Sequence, residues 1–197
     1  MIGITVRNLK KRYLETSVLV IGAGAAGARA AIAANKIGVD VLLVEKGFIG
    51  KSGASSISIG GIAAAVGPHD TLDEHFKDTV IGGEFLNNQR LVEILVTEGP
   101  EKVLELENYG MMFMRREDGS FRLGQSGGHS YPRILFEFYP DKVGQAMMRA
   151  LKSELIKRNI PFLEEVYVID LLTRGLNVVG AAALDLRSGD FLVISAK

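Results

Sequence analysis

Two short apolar runs, Val18–Ile21 and Val39–Val44, flank an alanine-rich stretch from Ala25 to Ile37. Brief runs of this kind predict strands of a parallel sheet covered on both faces, and the stretch between them predicts a helix that Gly38 ends as a C-cap. Strand, glycine turn, helix and strand follow one another within about 30 residues, which is the βαβ unit. From Lys46 to Gly67 no periodicity holds, and the Gly, Ser and small apolar residues there predict an ordered loop packed against something. Thr71 with Glu74 makes a capping box that opens a helix to about Ile81. A second helix is expected over Gln89–Glu98 and a third from Pro100, at a first helical position, to Tyr109. Met111–Leu123 reads as a hairpin turning at Asp118-Gly119, and Gly124–Pro132 as a second glycine-rich loop. Apolar positions at Val143, Met147, Leu151 and Leu155 predict an amphipathic helix over Asp141–Asn159. Pro161–Glu165 supplies a third strand. A three-stranded antiparallel meander follows, Val166–Thr173, Asn177–Leu186 and Phe191–Ala196, with turns at Arg174-Gly175 and Ser188-Gly189.

Composition sharpens the α/β reading at one place. Glycine makes up 23 of 197 residues, against a usual share of about 7%, and ten of those 23 lie between Gly22 and Gly67. Gly22, Gly24 and Gly27, with Ala25 and Ala26 between the last two, make the G-x-G-x-x-G turn of a dinucleotide site. The first glycine allows the tight turn, the second lets backbone approach a pyrophosphate, and the third lets helix and strand pack closely. The helix N-terminus then offers N–H groups and partial positive charge to phosphate. Glu45 lies at the end of the second strand, where a carboxylate can accept from ribose hydroxyls, and Lys46 stands beside it. An acid at this position disfavours a 2′-phosphate and so argues against NADP. The bare glycine pattern also fits a turn that only packs a helix on a sheet; the strand, helix and acid around it favour nucleotide binding.

Both NAD and FAD fit that motif. After the acid the chain enters Lys51–Gly61, where small residues and a glycine pair allow backbone to wrap a flat, bulky ring, which favours FAD. Lys+Arg and Asp+Glu are both 23, giving a formal net charge of +0. With no basic block, nucleic acid is not expected as a partner. The sequence has no cysteine, so this chain supplies no thiolate catalysis and no iron–sulfur ligands. No transmembrane segment, export signal or metal-ligand spacing is present, and a soluble cytoplasmic chain is expected. His69 and His75 are expected in solvent. His129, with Arg133 four residues later, fits a structural role or a functional one equally.

The segments VLVIGAGAAG, VLLVEKG and SGASSISIGGIAAAVG within Ser17–Gly67 resemble the flavin domain of the succinate dehydrogenase/fumarate reductase flavoprotein family, which includes L-aspartate oxidase. GGHSYPR at Gly127–Arg133, the helix start at Asp141–Gly144 and LEEVYVIDLL with its meander are similar too. The resemblance implies a Rossmann-like FAD-binding domain over residues 17–197, incomplete relative to the family, with residues 1–16 as an N-terminal extension. It implies that Gly22–Gly27 hold the pyrophosphate and that Glu45 and Lys46 lie at the adenosine ribose. Ser52, Gly53, Ala54, Ser55, Gly60 and Gly61 would line the flavin, Tyr167 and Val168 would meet the adenine through main chain, and Asp141 would sit near the cofactor or serve as a plain N-cap. Ala54 stands where many quinone-linked members carry a flavin-linking histidine, so FAD is expected to be non-covalent.

The family's proton donor and dicarboxylate-gripping groups lie in a capping domain and later segments, so no catalytic residue is assigned here. The implied activity is interconversion of succinate and fumarate, or of a similar C4 dicarboxylate, by hydride transfer at flavin N5. L-Aspartate oxidase and a non-catalytic flavin-binding fragment are the alternatives. The implied partners are the remainder of the flavoprotein or a complementary chain, and an iron–sulfur subunit, through which the chain could sit at the cytoplasmic membrane face.

Overall fold

The computed structural model describes residues 10–138 and 142–197, and the chain divides into two compact units, residues up to 56 together with 151–197, and residues 57–150. In the first unit, β2 (Val18–Ile21), β3 (Val41–Val44) and β7 (Phe162–Leu163) form a parallel sheet in the order β2-β3-β7. β3 is central and buried at every position, as its apolar run requires. It starts at Val41 rather than Val39, because the Val39 N–H turns back to the Ala34 carbonyl at the end of the preceding helix. Helix α1 (Ala25–Lys36) crosses between β2 and β3 and ends where Gly38 takes a positive φ of 79°. The expected strand Pro161–Glu165 is reduced to Phe162–Leu163.

The meander appears as β8 (Val166–Arg174), β9 (Asn177–Asp185) and β10 (Phe191–Ala196). Lys11–Thr16, expected only as part of an extension, is strand β1 and pairs in parallel with β10, so this sheet has four strands in the order β1-β10-β9-β8. The missed signal is weak: KRYLET is largely exposed and shows no clean alternation. The core of the unit is made by Leu42 and Val44 of β3 with Val166, Ala183, Leu192 and Ile194 of the meander. Small residues on β9 allow close strand approach. At Gly180, where φ is 152°, a Cβ would lie on the Ile194 carbonyl oxygen.

The second unit holds β4 (Ile62–Ala63), α3 (Leu72–Gly82), α4 (Gln89–Asn108), β5 (Leu123–Gly124), β6 (Ile134–Leu135) and the first turns of α5 (Val143–Lys157). The Lys46–Gly67 loop therefore contains a helical turn, α2 (Ala54–Ile57), and the short strand β4. The Thr71 hydroxyl accepts from the Glu74 N–H at 3.1 Å, the cap that the sequence predicts. The two helices expected around Pro100 are one helix, α4, of 20 residues. Proline crowds the residue before it through that residue's Cβ; here that residue is Gly99, which has none. In place of a full Met111–Leu123 hairpin there is a bridge between Arg115 and Phe121, while Leu123-Gly124 pairs with β6. Val103, Met111, Phe113, Leu135, Val143 and Ala146 form the core of this unit.

A buried ion cluster ties its glycine-rich loop down. Arg133, 0% exposed, gives Nε and Nη2 to the two Asp70 oxygens at 2.9 Å, and Nη2 also lies 2.9 Å from Asp78. Asp78 accepts from both the N–H and the hydroxyl of Ser130 at 2.7 Å. His75, expected in solvent, is 4% exposed and packs edge-on to His129 with ring centroids 6.3 Å apart. It lies on the face of α3 turned to this cluster, opposite the exposed Glu74–Lys77 pair. Arg133 is thus engaged in the structure of the loop, and His129, for which two readings stood open, lies against His75.

Burial, and after it the Arg133 charge, hold the His75 pKa below its ordinary 6.5 against the opposing pull of Asp70 and Asp78. The unfolded chain therefore takes up this proton at a higher pH than the folded one. Stability is full above about pH 6.5 and declines as pH falls from there towards the lowered folded value. Urea titrations at pH 7.5, 6.5 and 5.5 are expected to show that decline, and His75→Gln is expected to flatten it. Arg133→Met, which strands two buried carboxylates, is expected to cost about 3–5 kcal/mol in the same titration at pH 7.5.

Candidate functional site

The end of β2 and the start of α1 are joined by a turn that only glycine can make. Gly22 takes a φ of 92°, and its N–H donates to the Val44 carbonyl at 2.8 Å, locking the turn to the end of β3. A Cβ on Gly27 would collide with the Gly22 carbonyl oxygen, so helix and turn touch backbone to backbone. A Cβ on Gly24 would lie 3.3 Å from the Ser55 hydroxyl oxygen, and that same oxygen accepts from the Ala25 N–H at 3.1 Å. Each glycine of the motif thus answers a different steric demand.

The amide groups of this turn are shared out in a regular way. The Ala23 N–H donates to Glu45 Oε2 at 2.7 Å, and Ala25 donates to Ser55. The Ala28 N–H makes the first helical bond, to the Gly24 carbonyl. The N–H groups of Ala26 and Gly27 belong to the first turn, where no carbonyl lies four residues back in the helix. Gly24, the N-cap, adds no side-chain acceptor. The geometry presents backbone donors at the positive end of the helix, which is what a pyrophosphate requires.

Glu45 is held from two sides. Its Oε1 accepts from the Gly47 N–H at 3.1 Å and lies 3.4 Å from the Ser52 hydroxyl, while Oε2 takes Ala23. A carboxylate has about four lone-pair sites, so an oriented Glu45 retains capacity for hydroxyl donors. Lys46 beside it is exposed. Ser52 also donates to the Phe48 carbonyl, and Ser56 donates to the Gly53 carbonyl at 2.8 Å. The structure therefore brings Gly22–Gly27, Glu45 and Ser52–Ser55 into one cluster of the first unit, with Ala54 exposed at the start of α2.

The remaining predicted residues fall elsewhere. Tyr167 and Val168 lie on β8, paired with Leu184 and Ala183 of β9. The Val166 N–H points away from β9 and donates to the Glu45 carbonyl at 2.9 Å. By strand alternation the main chain of Val168 faces that same side, while that of Tyr167 faces β9. Main-chain contact with an adenine is therefore open to Val168 and closed to Tyr167. Gly60 and Gly61 belong to the second unit, where Gly60 takes a φ of 88°. A Cβ on Gly61 would lie 2.5 Å from the Leu135 carbonyl oxygen, so packing against β6 is reason enough for that glycine. Asp141 lies outside the described residues. Close by in sequence, the Gly144 N–H at the start of α5 donates to the Ser58 carbonyl at 3.1 Å.

Reasoning from sequence missed the residues that hold the Gly47–Ser52 segment, Lys152 and Glu164. Lys152 Nζ lies 2.8 Å from Glu164 Oε1, which also accepts from the Ile49 N–H at 2.9 Å. A lysine on an amphipathic helix and one acid of a Glu-Glu pair carry no motif that would distinguish them. Among the described residues no group of three or more His, Cys, Asp or Glu could hold a metal ion, and no helix is long and apolar enough to cross a membrane.

The family model of the FAD binding domain matches residues 17–197. A fumarate reductase (CoM/CoB) subunit of Methanothermobacter marburgensis is 38% identical over 185 residues, which cover 92% of this chain and 34% of the relative. The chloroplastic L-aspartate oxidase of Arabidopsis thaliana is 34% identical over 200 residues, covering 99% of this chain and 30% of the relative. Among solved structures, the FrdA chain of E. coli quinol fumarate reductase superposes with a TM-score of 0.87 at 32% identity, over 94% of this chain and 32% of that one. Mycobacterium smegmatis Sdh1 gives a TM-score of 0.87 at 33% identity, over 95% of this chain and 33% of that one. The chain spans about a third of the length of the curated relatives it matches. The glycine turn, the carboxylate at the end of β3 and this match over residues 17–197 together show that the chain belongs to the FAD binding domain family and corresponds to the FAD-binding domain of flavoproteins of the succinate dehydrogenase/fumarate reductase type, L-aspartate oxidases included.

Proposed function

We propose that this chain is the FAD-holding part of an oxidoreductase that interconverts succinate and fumarate, or a similar C4 dicarboxylate. The observation that carries the reading is the cluster in which Glu45, Ser55 and the α1 N-terminus surround a turn that needs a positive φ at Gly22 and no Cβ at Gly27. The residues present fit the cofactor. Gly24, Ala26 and Gly27 would meet the pyrophosphate, Glu45 with Lys46 the adenosine ribose, Val168 the adenine, and Ser52–Ser55 with Gly60 and Gly61 the flavin end. When bound, the flavin supplies a two-electron carrier for hydride transfer; the protein binds and orients it.

The choice of dicarboxylate follows the methanogen fumarate reductase, the most identical of the relatives named above, at 38%. L-Aspartate oxidation is the second reading, favoured by plant relatives of that name at 34–36% identity. Proton transfer and the substrate grip are assigned to groups outside this chain, with the rest of the flavoprotein or a complementary chain as partner and electrons passing to an iron–sulfur subunit. A cytoplasmic place, at the membrane face through such partners, goes with this reading. Ala54 offers no nucleophile for a flavin bond, which supports non-covalent FAD.

The isolated 197-residue chain is expected to turn over no succinate, fumarate or aspartate in a dye-coupled assay. Glu45→Gln is expected to weaken ADP binding about tenfold by calorimetry, the loss of a charge-assisted hydrogen bond of about 1.5–3 kcal/mol. Flavin that accompanies the protein is expected to pass wholly into the supernatant on acid precipitation; yellow colour retained in the pellet would contradict non-covalent binding.

A further inference from the structure

The segment that follows β3, from Gly47 to Ser52, carries no strand ladder, yet it sets the direction of the Glu45 side chain. Its polar backbone must find partners elsewhere. Ile49, 1% exposed, is gripped at both ends of its own backbone. Its N–H donates to Glu164 Oε1 at 2.9 Å, and its carbonyl accepts from Lys152 Nζ at 3.3 Å. Lys152 and Glu164 close the triangle through their 2.8 Å ion pair. One residue further along, the Glu165 N–H donates to the Gly47 carbonyl at 3.1 Å, and the Glu165 carboxylate pairs with Arg187, whose guanidinium sits 5.7 Å from the Phe48 ring centroid. Gly47 in turn gives its N–H to Glu45 Oε1.

From these contacts we infer that Lys152 and Glu164 are a positioning pair for the ribose end of the cofactor, acting through Ile49 and Gly47 on the Glu45 carboxylate. The inference rests on the proposed role of Glu45. With Oε2 fixed by Ala23 and Oε1 by Gly47 and Ser52, the carboxylate is held in one orientation toward a ligand. Loosening Ile49 leaves Gly47 tied through its carbonyl to the Glu165 N–H alone on that side and gives the carboxylate room to turn. The pair is 31% and 18% exposed, so its contribution to overall stability is small and its effect is mainly on orientation. Burial pushes the Glu164 carboxyl up, but the hydrogen bonds from Lys152 and Ile49, with the charges of Lys152 and Arg187, outweigh it and hold the group below the usual glutamate range. The carboxylate is therefore charged at neutral pH, as the grip on Ile49 requires.

The test compares ADP with 2′,3′-dideoxy-ADP by calorimetry on the full chain at pH 7.5. Their affinity ratio reports contact with the ribose hydroxyls and is insensitive to a general loss of folded protein. Wild type is expected to prefer ADP by on the order of tenfold. Glu164→Gln and Lys152→Met are each expected to lower that ratio about fivefold, Lys152→Arg to keep it, and Glu164→Gln to add nothing on top of Glu45→Gln. A wild-type ratio that persists in Glu164→Gln and Lys152→Met overturns the pair while leaving Glu45 in place. A wild-type ratio near one, or no ADP binding, overturns the reading of Glu45 and the pair with it.

Discussion

Everything at the candidate site depends on the first turn of α1 lying directly on the end of β2. The Gly27 backbone occupies space that any Cβ would claim from the Gly22 carbonyl. That contact fixes where the helix N-terminus points, and hence where its amide groups and its partial positive charge are presented. It also creates a problem, because amide groups aimed outward are costly if nothing accepts from them. The structure divides them. Ala23 and Ala25 are satisfied by Glu45 and Ser55, which keep the turn rigid, and the remaining first-turn amides have no carbonyl four residues back in the helix.

Glu45 is consequently part of the scaffold as well as a candidate ligand. Its two oxygens join the glycine turn after β2 to the segment after β3, so the parts of the chain that would meet pyrophosphate and ribose cannot shift independently. Ser55 does the same for the serine-rich segment. A site made of irregular backbone gains rigidity this way, since loops without ladders have few other means of ordering. Charged side chains supply the strongest of these ties.

How much of this was legible in the sequence follows from how local each signal is. The β2-α1-β3 unit, the Thr71 cap and the meander could be read because turn glycines, caps and apolar runs act within a few residues. The Gly22–Gly27 turn and the acid after β3 were legible for the same reason. The continuous helix through Pro100 was not, because a proline ordinarily marks the first turn of a helix, and Gly99 removes only the Cβ part of the clash with the residue before it. β1 was missed because its partner, β10, lies at the other end of the sequence and a short exposed parallel strand has no pattern of its own. His75, Arg133, Lys152 and Glu164 were missed or misplaced because their roles come from tertiary contacts: Arg133 meets Asp70 63 residues away, and Ile49 meets Glu164 115 residues away.

The same contacts commit several buried charged groups to holding backbone. A general acid or base needs a proton it can exchange near neutral pH. Asp78 and Glu164 are instead held below the usual carboxylate range by donors that favour the charged form, even though burial acts the other way. Asp70 is closed off in a different manner, with both oxygens taken by one guanidinium. His75 is pushed towards its neutral form by burial and by Arg133. Groups engaged in this way hold backbone in place at neutral pH. Within each unit the charges are used to keep irregular backbone still, Arg133 with Asp70 and Asp78 in the second and Lys152 with Glu164 in the first.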